Sequence, residues 1–452
     1  MRNVLLLGAG RSCSELINYL LDYIPGKDIR LTIADQNHEI LAHLYRGNPL
    51  VDEVMFRVSD QELLHSLVRN ADVVISMLPA RFHHAVALKC IELKKHMVTA
   101  SYISPEMNEL DAEARDKGVM LLNELGVDPG IDHMSAMRII DDLKSRGATM
   151  LQFESFTGGL LAPESENNPW KYKFTWNPRN VVVAGQGGAV KFLQESRFKY
   201  IPYHMLFRRT EFMDIEGFGR FEGYPNRDSL KYMSLYGLEG IRTLFRGTLR
   251  RPGFCKAWDV FVKLGITDDS YVIEDSETLT HRGFINKFLA FNPTDSVELK
   301  LMHYLKIDQD SEIMEKLEWL GLFEREPIGI RNATPAKILE HILKKKWTLD
   351  PDDKDMIVMR HKFGYELNGE TASITSSMVA LGENPIKTAM AKTVGLPVAI
   401  TVKHVLEGTL NLPGVHLPVI PELYNPILDE LEEYGITFTD ESGPYIDYCP
   451  EN

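Results

Sequence analysis

Val4-Leu5-Leu6-Leu7-Gly8-Ala9-Gly10-Arg11 decides how the chain is read. Four apolar residues in a row suit a strand buried on both faces, as in a parallel sheet. The run stops at Gly8 and Gly10, which permit a tight turn and a close approach of backbone to a bulky group. Ser14 to Tyr23 follows with helical character. A strand, a glycine turn and a helix N-terminus make an anion site, because free N–H groups and the helix dipole both favour negative charge. The stretch therefore predicts a pyrophosphate site, and with it a dinucleotide-binding unit. The third glycine place of G-x-G-x-x-G is Cys13, which is small enough for close helix–strand packing.

The surrounding sequence repeats the pattern. Ile29 to Ala34 predicts a second strand that ends in Asp35, at the distance from the glycines where a carboxylate accepts from an adenosine ribose. Glu62 to Arg69 predicts a helix, and Ala71 to Met77, Val98 to Ser101 and Val119 to Asn123 predict further strands. Strands alternating with helices define an α/β class: a doubly wound parallel Rossmann sheet.

Composition narrows the rest. The chain has 452 residues, 44% of them hydrophobic and 25% charged, an ordinary soluble balance of two or three domains. No apolar run reads as a membrane span, and a strand at the very start leaves no room for a signal peptide. A cytoplasmic protein without membrane attachment is expected. Cys13, Cys90, Cys255 and Cys449 are scattered, which argues against a disulfide framework or a metal site. A net charge of −14 argues against nucleic acid as a partner. Any cations that bind an anionic substrate must be local.

The expected organisation has three parts. Residues 1–128 form the Rossmann domain, with helices from about 385–452 packing back on it. Residues 129–253 and 351–384 form an α+β substrate-binding domain. Residues 254–350 form a helical insertion, with helices expected over Lys256–Leu264, Thr280–Leu289, Val297–Leu305, Ser311–Trp319 and Ala336–Lys345. Short strands are expected at Met150–Thr157, stopping at Gly158-Gly159, and at Asn180–Ala184. Two late helices are expected, one from Asn384 to Lys392 and one from Gly395 to Leu410.

Several motifs converge on one family: residues 99–105 (TASYISP), 123–133 (NELGVDPGIDH), 156–160 (FTGGL), 224–229 (YPNRDS) and 246–250 (RGTLR). On these the chain resembles the glutamate-forming saccharopine dehydrogenases over nearly its whole length. The resemblance implies reversible NAD- or NADP-dependent oxidation of saccharopine, through an imine, to glutamate and 2-aminoadipate 6-semialdehyde in lysine metabolism. It implies cofactor contacts from Gly8, Ala9, Gly10, Arg11, Ser12, Asp35, Gln36, Val58, Ser76, Met77, Leu78, Ser101, Val127 and Asp128. Ser101, Tyr102, Arg227, Thr248, Leu249 and Arg250 are the implied substrate contacts. Tyr102 and Asp128 are the implied acid–base pair. Saccharopine carries three carboxylates, and arginines can pair with these in bidentate fashion.

Two departures stand out. The family commonly shows cysteine where this chain has Thr157. The family cofactor is usually NADP, held by a basic residue after the second strand, yet here Asp35-Gln36 occupies that place. A carboxylate there favours the free ribose of NAD, although Arg11 could compensate toward a phosphate. His133 reads as a packed or capping helix residue, and the pair His83-His84 as helix-start contacts rather than a metal site. The helical insertion would serve as a homodimer surface. Two other functions fit the fold: a carboxynorspermidine dehydrogenase or homospermidine synthase activity, which would need carboxylates rather than arginines, and a non-catalytic dinucleotide-binding regulator.

Overall fold

The opening apolar run folds as β1 (Arg2–Leu7), with Val4, Leu5, Leu6 and Leu7 all fully buried. It is followed by β2 (Ile29–Asp35), β3 (Val51–Met55), β4 (Val73–Ser76), β5 (His96–Val98) and β6 (Met120–Leu122). With the strand Gly414–His416 these form one seven-stranded parallel sheet, in the order Gly414–His416, β6, β5, β4, β1, β2, β3. The strand order reverses between β1 and β4, and ligands of such sheets bind beyond the strand ends at that point. The α/β class expected from the sequence is the one observed. Neither β3 nor the last strand was anticipated. β3 is an edge strand whose Asp52, Glu53 and Met55 are exposed, so it lacks an apolar signature, and Gly414–His416 is three residues long.

The computed structural model describes residues 1–446, so Cys449 and the end of the expected 385–452 segment lie outside the described residues. The chain divides into two compact units. Unit 1 comprises Met1–Met150, Glu366–Glu370 and Met378–Asp440; unit 2 comprises Leu151–Tyr365, Thr371–Ser377 and the residues from Glu441. Unit 1 runs past the expected boundary at residue 128 because the helix Ile131–Ser145 packs on the helix Pro421–Glu433. There Arg138 donates to the Asn425 carbonyl at 3.0 Å, and the Tyr424 hydroxyl donates to Asp141 at 2.8 Å.

Two late helices were expected, but one continuous helix forms, Ala389–Glu407, with Pro397 inside it. By length and composition it could cross a membrane, contrary to the sequence reading, yet 72% of its apolar window is buried inside the structure. A helix apolar on all sides is a core helix when it is covered all round. Gly395 is not a break but a point of close approach: a Cβ there would lie 2.8 Å from the backbone nitrogen of Leu16 on the first helix, Ser14–Tyr23.

Unit 2 holds most of a second, mixed sheet. Its strands are β7 (Thr149–Leu161), β8 (Val190–Gln194), β9 (Arg197–Ile201), β10 (Glu211–Ile215), β11 (Gly219–Pro225), β12 (Thr243–Arg250), β13 (Asp355–Leu367) and β14 (Glu370–Leu381), ending with Thr439–Pro444. β12 lies parallel to β7 and antiparallel to β11. β7 does not stop at Gly158-Gly159. Gly158 lies within the strand, where the backbone passes so close to β12 that a Cβ would sit 2.8 Å from Leu249. The expected strand at Asn180–Ala184 is instead a short helix, Pro178–Val182, started by the Asn177 side chain. The helices between Phe254 and Trp347 fall within unit 2 rather than separating from it. Trp347, at the end of the last of them, packs against Trp170, Tyr172, Phe174, Phe254 and Trp258.

Candidate active site

In unit 1 the residues implied for cofactor binding all fall at the C-terminal edge of the parallel sheet. Gly8 to Ser12 follow β1, Asp35 ends β2 with Gln36 next, Val58 follows β3, Ser76 ends β4 with Met77 and Leu78 next, Ser101 follows β5, and Val127 and Asp128 follow β6; Tyr102, implied for substrate, is beside Ser101. The two loop glycines do different jobs. Gly8 adopts φ +91, and a Cβ on it would meet the Met77 carbonyl oxygen at 2.9 Å, so it lets β1 turn against the β4 loop. Gly10 has ordinary φ, and a Cβ there would meet nothing within 4 Å. The space in front of it is open, and no side chain caps the helical turn it begins. That fits a pyrophosphate against free N–H groups. Cys13 is buried, with its thiol against the Gly8 carbonyl oxygen at 3.5 Å, and burial pushes it up to about 12. It is a packing residue in the third glycine's place.

Asp35 is already engaged. Its carboxylate accepts from the Ala9 N–H and from the Asn37 N–H, each at 2.6 Å. A carboxylate has about four acceptor sites, so capacity for a ribose diol remains. Beyond it lies a cavity of about 310 Å³ lined by Gln36, Glu39, Arg46, Glu53 and Met55 among others. Arg46 is held there between carboxylates, 2.8 Å from Glu39 and 3.6 Å from Glu53. Arg11 is exposed at the start of the first helical turn.

The β5 and β6 loops are tied together. Tyr102 donates its hydroxyl to Asp128 Oδ1 at 2.8 Å. Glu124, at φ +59, accepts from the Ile103 N–H at 2.9 Å through one oxygen and contacts His133 Nε2 at 2.7 Å through the other. His133 is fully buried and paired with Glu124. A Cβ on Gly130 would collide with the Gly126 backbone, which explains the glycines of the 123–133 motif. His83 does start a helix, but it also bridges Ser76 and Ser101, a role the sequence did not reveal. Burial pushes it down to about 4.

In unit 2, the motif at 246–250 lies on β12. Alternation along a strand puts Arg246, Thr248 and Arg250 on one face. Opposite them in register stand Ser155 and Thr157 of β7 and Tyr224 and Glu222 of β11. Gly247 and Leu249 face the other way, and a Cβ on Gly247 would collide with the Phe156 ring. Arg250 is 5% exposed. Its guanidinium carbon lies 5.0 Å from the Tyr172 ring centre, 5.3 Å from Phe254 and 5.9 Å from Tyr224. Nη1 donates to the Leu249 carbonyl at 2.8 Å, while Nε is buried with no partner. Glu222, across the strand, instead accepts from the Cys255 N–H at 2.6 Å.

Three hydroxyls among the described residues of this unit, those of Thr157, Tyr172 and Thr175, are buried without a hydrogen bond. The Trp176 indole lies near the Tyr172 hydroxyl but not at bonding geometry. Burial raises Tyr172 and Tyr224, keeping both phenols protonated. Arg227, implied with Arg250 as a substrate contact, is exposed, in a left-handed turn at φ +57 after β11. Arg246, on the same face as Thr248 and Arg250, was not singled out from the sequence. It is 6% exposed and stacks 4.0 Å over Tyr232. Its alternation with Thr248 and Arg250 was the available signal.

This sheet edge and this arginine face define a dinucleotide-binding α/β protein with a cation-bearing second unit. The Saccharopine dehydrogenase NADP binding domain model matches residues 4–122, and the Saccharopine dehydrogenase C-terminal domain model matches residues 126–436. The chain is 35% identical over 448 residues to saccharopine dehydrogenase (NADP(+), L-glutamate-forming) of Saccharomyces cerevisiae, covering 96% of this chain and 98% of that one. The apo structure of the yeast enzyme superposes with a TM-score of 0.88 at 32% identity, covering 98% of this chain and 100% of that one. Rat mitochondrial alpha-aminoadipic semialdehyde synthase is 37% identical over 447 residues; the match takes in 98% of this chain and 48% of that protein, so the chain spans about half its length. The chain belongs to the saccharopine dehydrogenase family.

Proposed function

We propose that the chain is a saccharopine dehydrogenase of the glutamate-forming type, acting in lysine metabolism. In the oxidative direction saccharopine, a nicotinamide dinucleotide in its oxidised form and water give glutamate, 2-aminoadipate 6-semialdehyde, the reduced dinucleotide and a proton. The observation that carries this reading is Arg250. A buried guanidinium with an unpartnered Nε, in a chain of net charge −14, calls for an anionic ligand. A polyamine substrate would be repelled by it.

The dinucleotide is NAD or NADP, and when bound it supplies hydride acceptance and return. Gly10 and the N–H groups that follow would hold its pyrophosphate, and Asp35 its adenosine ribose. Val58 and Leu78, half-buried against the sheet core, would line the same groove. Tyr102 and Asp128 are the proposed acid–base pair. Their hydrogen bond gives a path for the proton that must reach or leave the substrate nitrogen and the carbinolamine oxygen during imine hydrolysis. Arg250, Thr248 and Arg227 are proposed to receive substrate carboxylates. Leu249 contributes through its backbone, because its side chain is fully buried on the other face.

The test is a spectrophotometric assay with saccharopine and each of NAD and NADP, alongside the reverse reaction from glutamate and the semialdehyde. Reduced dinucleotide should appear only when saccharopine is present. Dinucleotide binding without turnover in either direction would return the chain to the regulator reading.

A further inference from the structure

Ser76, His83 and Ser101 form a chain of hydrogen bonds for which the acid–base chemistry above has no use. Ser76 Oγ lies 2.8 Å from His83 Nδ1, and His83 Nε2 lies 2.7 Å from Ser101 Oγ. The three residues join the ends of β4 and β5 through the first residue of the helix His83–Leu93. His83 is 4% exposed and its burial keeps the ring neutral near neutral pH. A neutral imidazole has one N–H and one bare nitrogen, so two arrangements are open. In the first, Nδ1–H donates to Ser76 and Ser101 donates to Nε2. In the second, Ser76 donates to Nδ1 and Nε2–H donates to Ser101.

The two arrangements differ in what they leave over. Ser76 is 0% exposed, and His83 is the one side-chain hydrogen-bond partner its hydroxyl has among the described residues. The first arrangement buries the Ser76 hydroxyl hydrogen with no acceptor, so the full desolvation of that donor goes uncompensated. The second leaves only lone pairs unused, which folded proteins tolerate more readily than an orphaned donor. From this we infer that Ser76 donates to Nδ1, that His83 carries its proton on Nε2, and that Ser101, accepting from it, is held as a hydrogen-bond donor toward whatever occupies the β5 end of the sheet edge. Ser101 is half-buried, so its hydrogen has somewhere to point. The group it meets is therefore an acceptor, a carbonyl or carboxylate oxygen. His83 is a positioning residue that acts through Ser101. That a ligand lies at this edge rests on the proposed function; the assignment of the proton does not.

Two ligands offer that chemistry, the carboxamide oxygen of the nicotinamide and a carboxylate of the substrate. The first measurement is heteronuclear NMR of the ligand-free protein labelled at histidine. His83 should show a bare Nδ1 and a protonated Nε2 at neutral pH. The Nδ1–H tautomer, or a doubly protonated ring, overturns the inference whether or not the protein turns over saccharopine. The second measurement compares reduced-dinucleotide affinity and saccharopine KM in Ser101→Ala, His83→Leu and the double variant. Each single change should weaken one of these two by about tenfold, one hydrogen bond's worth, and the double variant should be no worse than either alone. Loss of dinucleotide affinity assigns the acceptor to the carboxamide, and a rise in KM alone assigns it to a substrate carboxylate. His83→Gln, whose amide also offers one acceptor and one donor, should recover part of the loss. Independent, additive losses, or none, refute the coupling.

Discussion

Arg250→Met separates a ligand-binding arginine from a structural one. The substitution keeps an unbranched stem among Tyr172, Tyr224 and Phe254 and removes only the charge and its donors. On the folding side two terms oppose. The cation over these rings contributes about 0.5–2 kcal/mol, but a buried charge without an ion pair carries a desolvation cost of similar or larger size. The net change in stability should stay within about 1 kcal/mol. On the binding side, a carboxylate that loses a desolvated guanidinium loses about 2–4 kcal/mol. At 1.4 kcal/mol per decade that is about 30- to 700-fold in affinity. The assay is saccharopine KM, calorimetric Kd for the reduced dinucleotide, and Tm, all on the same preparation. The expected result is a large rise in KM with the other two nearly unchanged. A saccharopine affinity within about threefold of the parent, together with a fallen Tm, would refute the reading and make Arg250 a core cation. Arg227→Ala should cost less, about 1 kcal/mol or below, because its exposed charge is screened by water.

Other outcomes can be stated more briefly. Gly10→Ala should fold with unchanged Tm, since a Cβ there meets nothing, but should lose dinucleotide binding by at least about tenfold in titration calorimetry. Gly395→Ala should do the opposite, lowering stability by about 1–3 kcal/mol in denaturant melts because its Cβ would press on the Leu16 backbone. Asp35→Ser with Gln36→Arg should move kcat/KM toward NADP by about tenfold or more, and should weaken both cofactors somewhat because Ala9 loses its carboxylate partner; a parent enzyme already strongly selective for NADP would sink the idea. His83, pushed down from 6.5 to about 4, is neutral when folded and charges more readily when unfolded. Its contribution is therefore complete above about pH 6.5 and is lost as pH falls toward 4, on the order of 3 kcal/mol in all. His83→Gln should flatten the acid limb of the stability curve across that window.

The first sheet was legible because burial on both faces leaves an unbroken apolar signature, as in Val4 to Leu7 and in Val73 to Ile75. β3 was not, since an edge strand needs no apolar run. Gly158 and Gly395 misled for one reason: glycine read as a break where the backbone in fact makes a close approach. The arginine face was half legible. Arg246, Thr248 and Arg250 alternate along one short motif, but Tyr172 comes to Arg250 from a distant part of the sequence, a contact no local pattern encodes. The Ser76–His83–Ser101 chain was hidden for the same reason, drawing on three separate segments.

The strand Gly414–His416, hydrogen-bonded to β6, gives the first sheet an unusual history during synthesis. Everything from β1 to β6 is made before the segment Leu151–Tyr365 of unit 2, yet the strand that covers β6 and the helix Ala389–Glu407 that covers the first helix are made only after that segment. Until then the edge of β6 and the surface around Leu16 stay open to solvent and to other chains. Until the later strand and helix are made, the first sheet presents an unpaired edge at β6, the kind of surface on which other chains can pair.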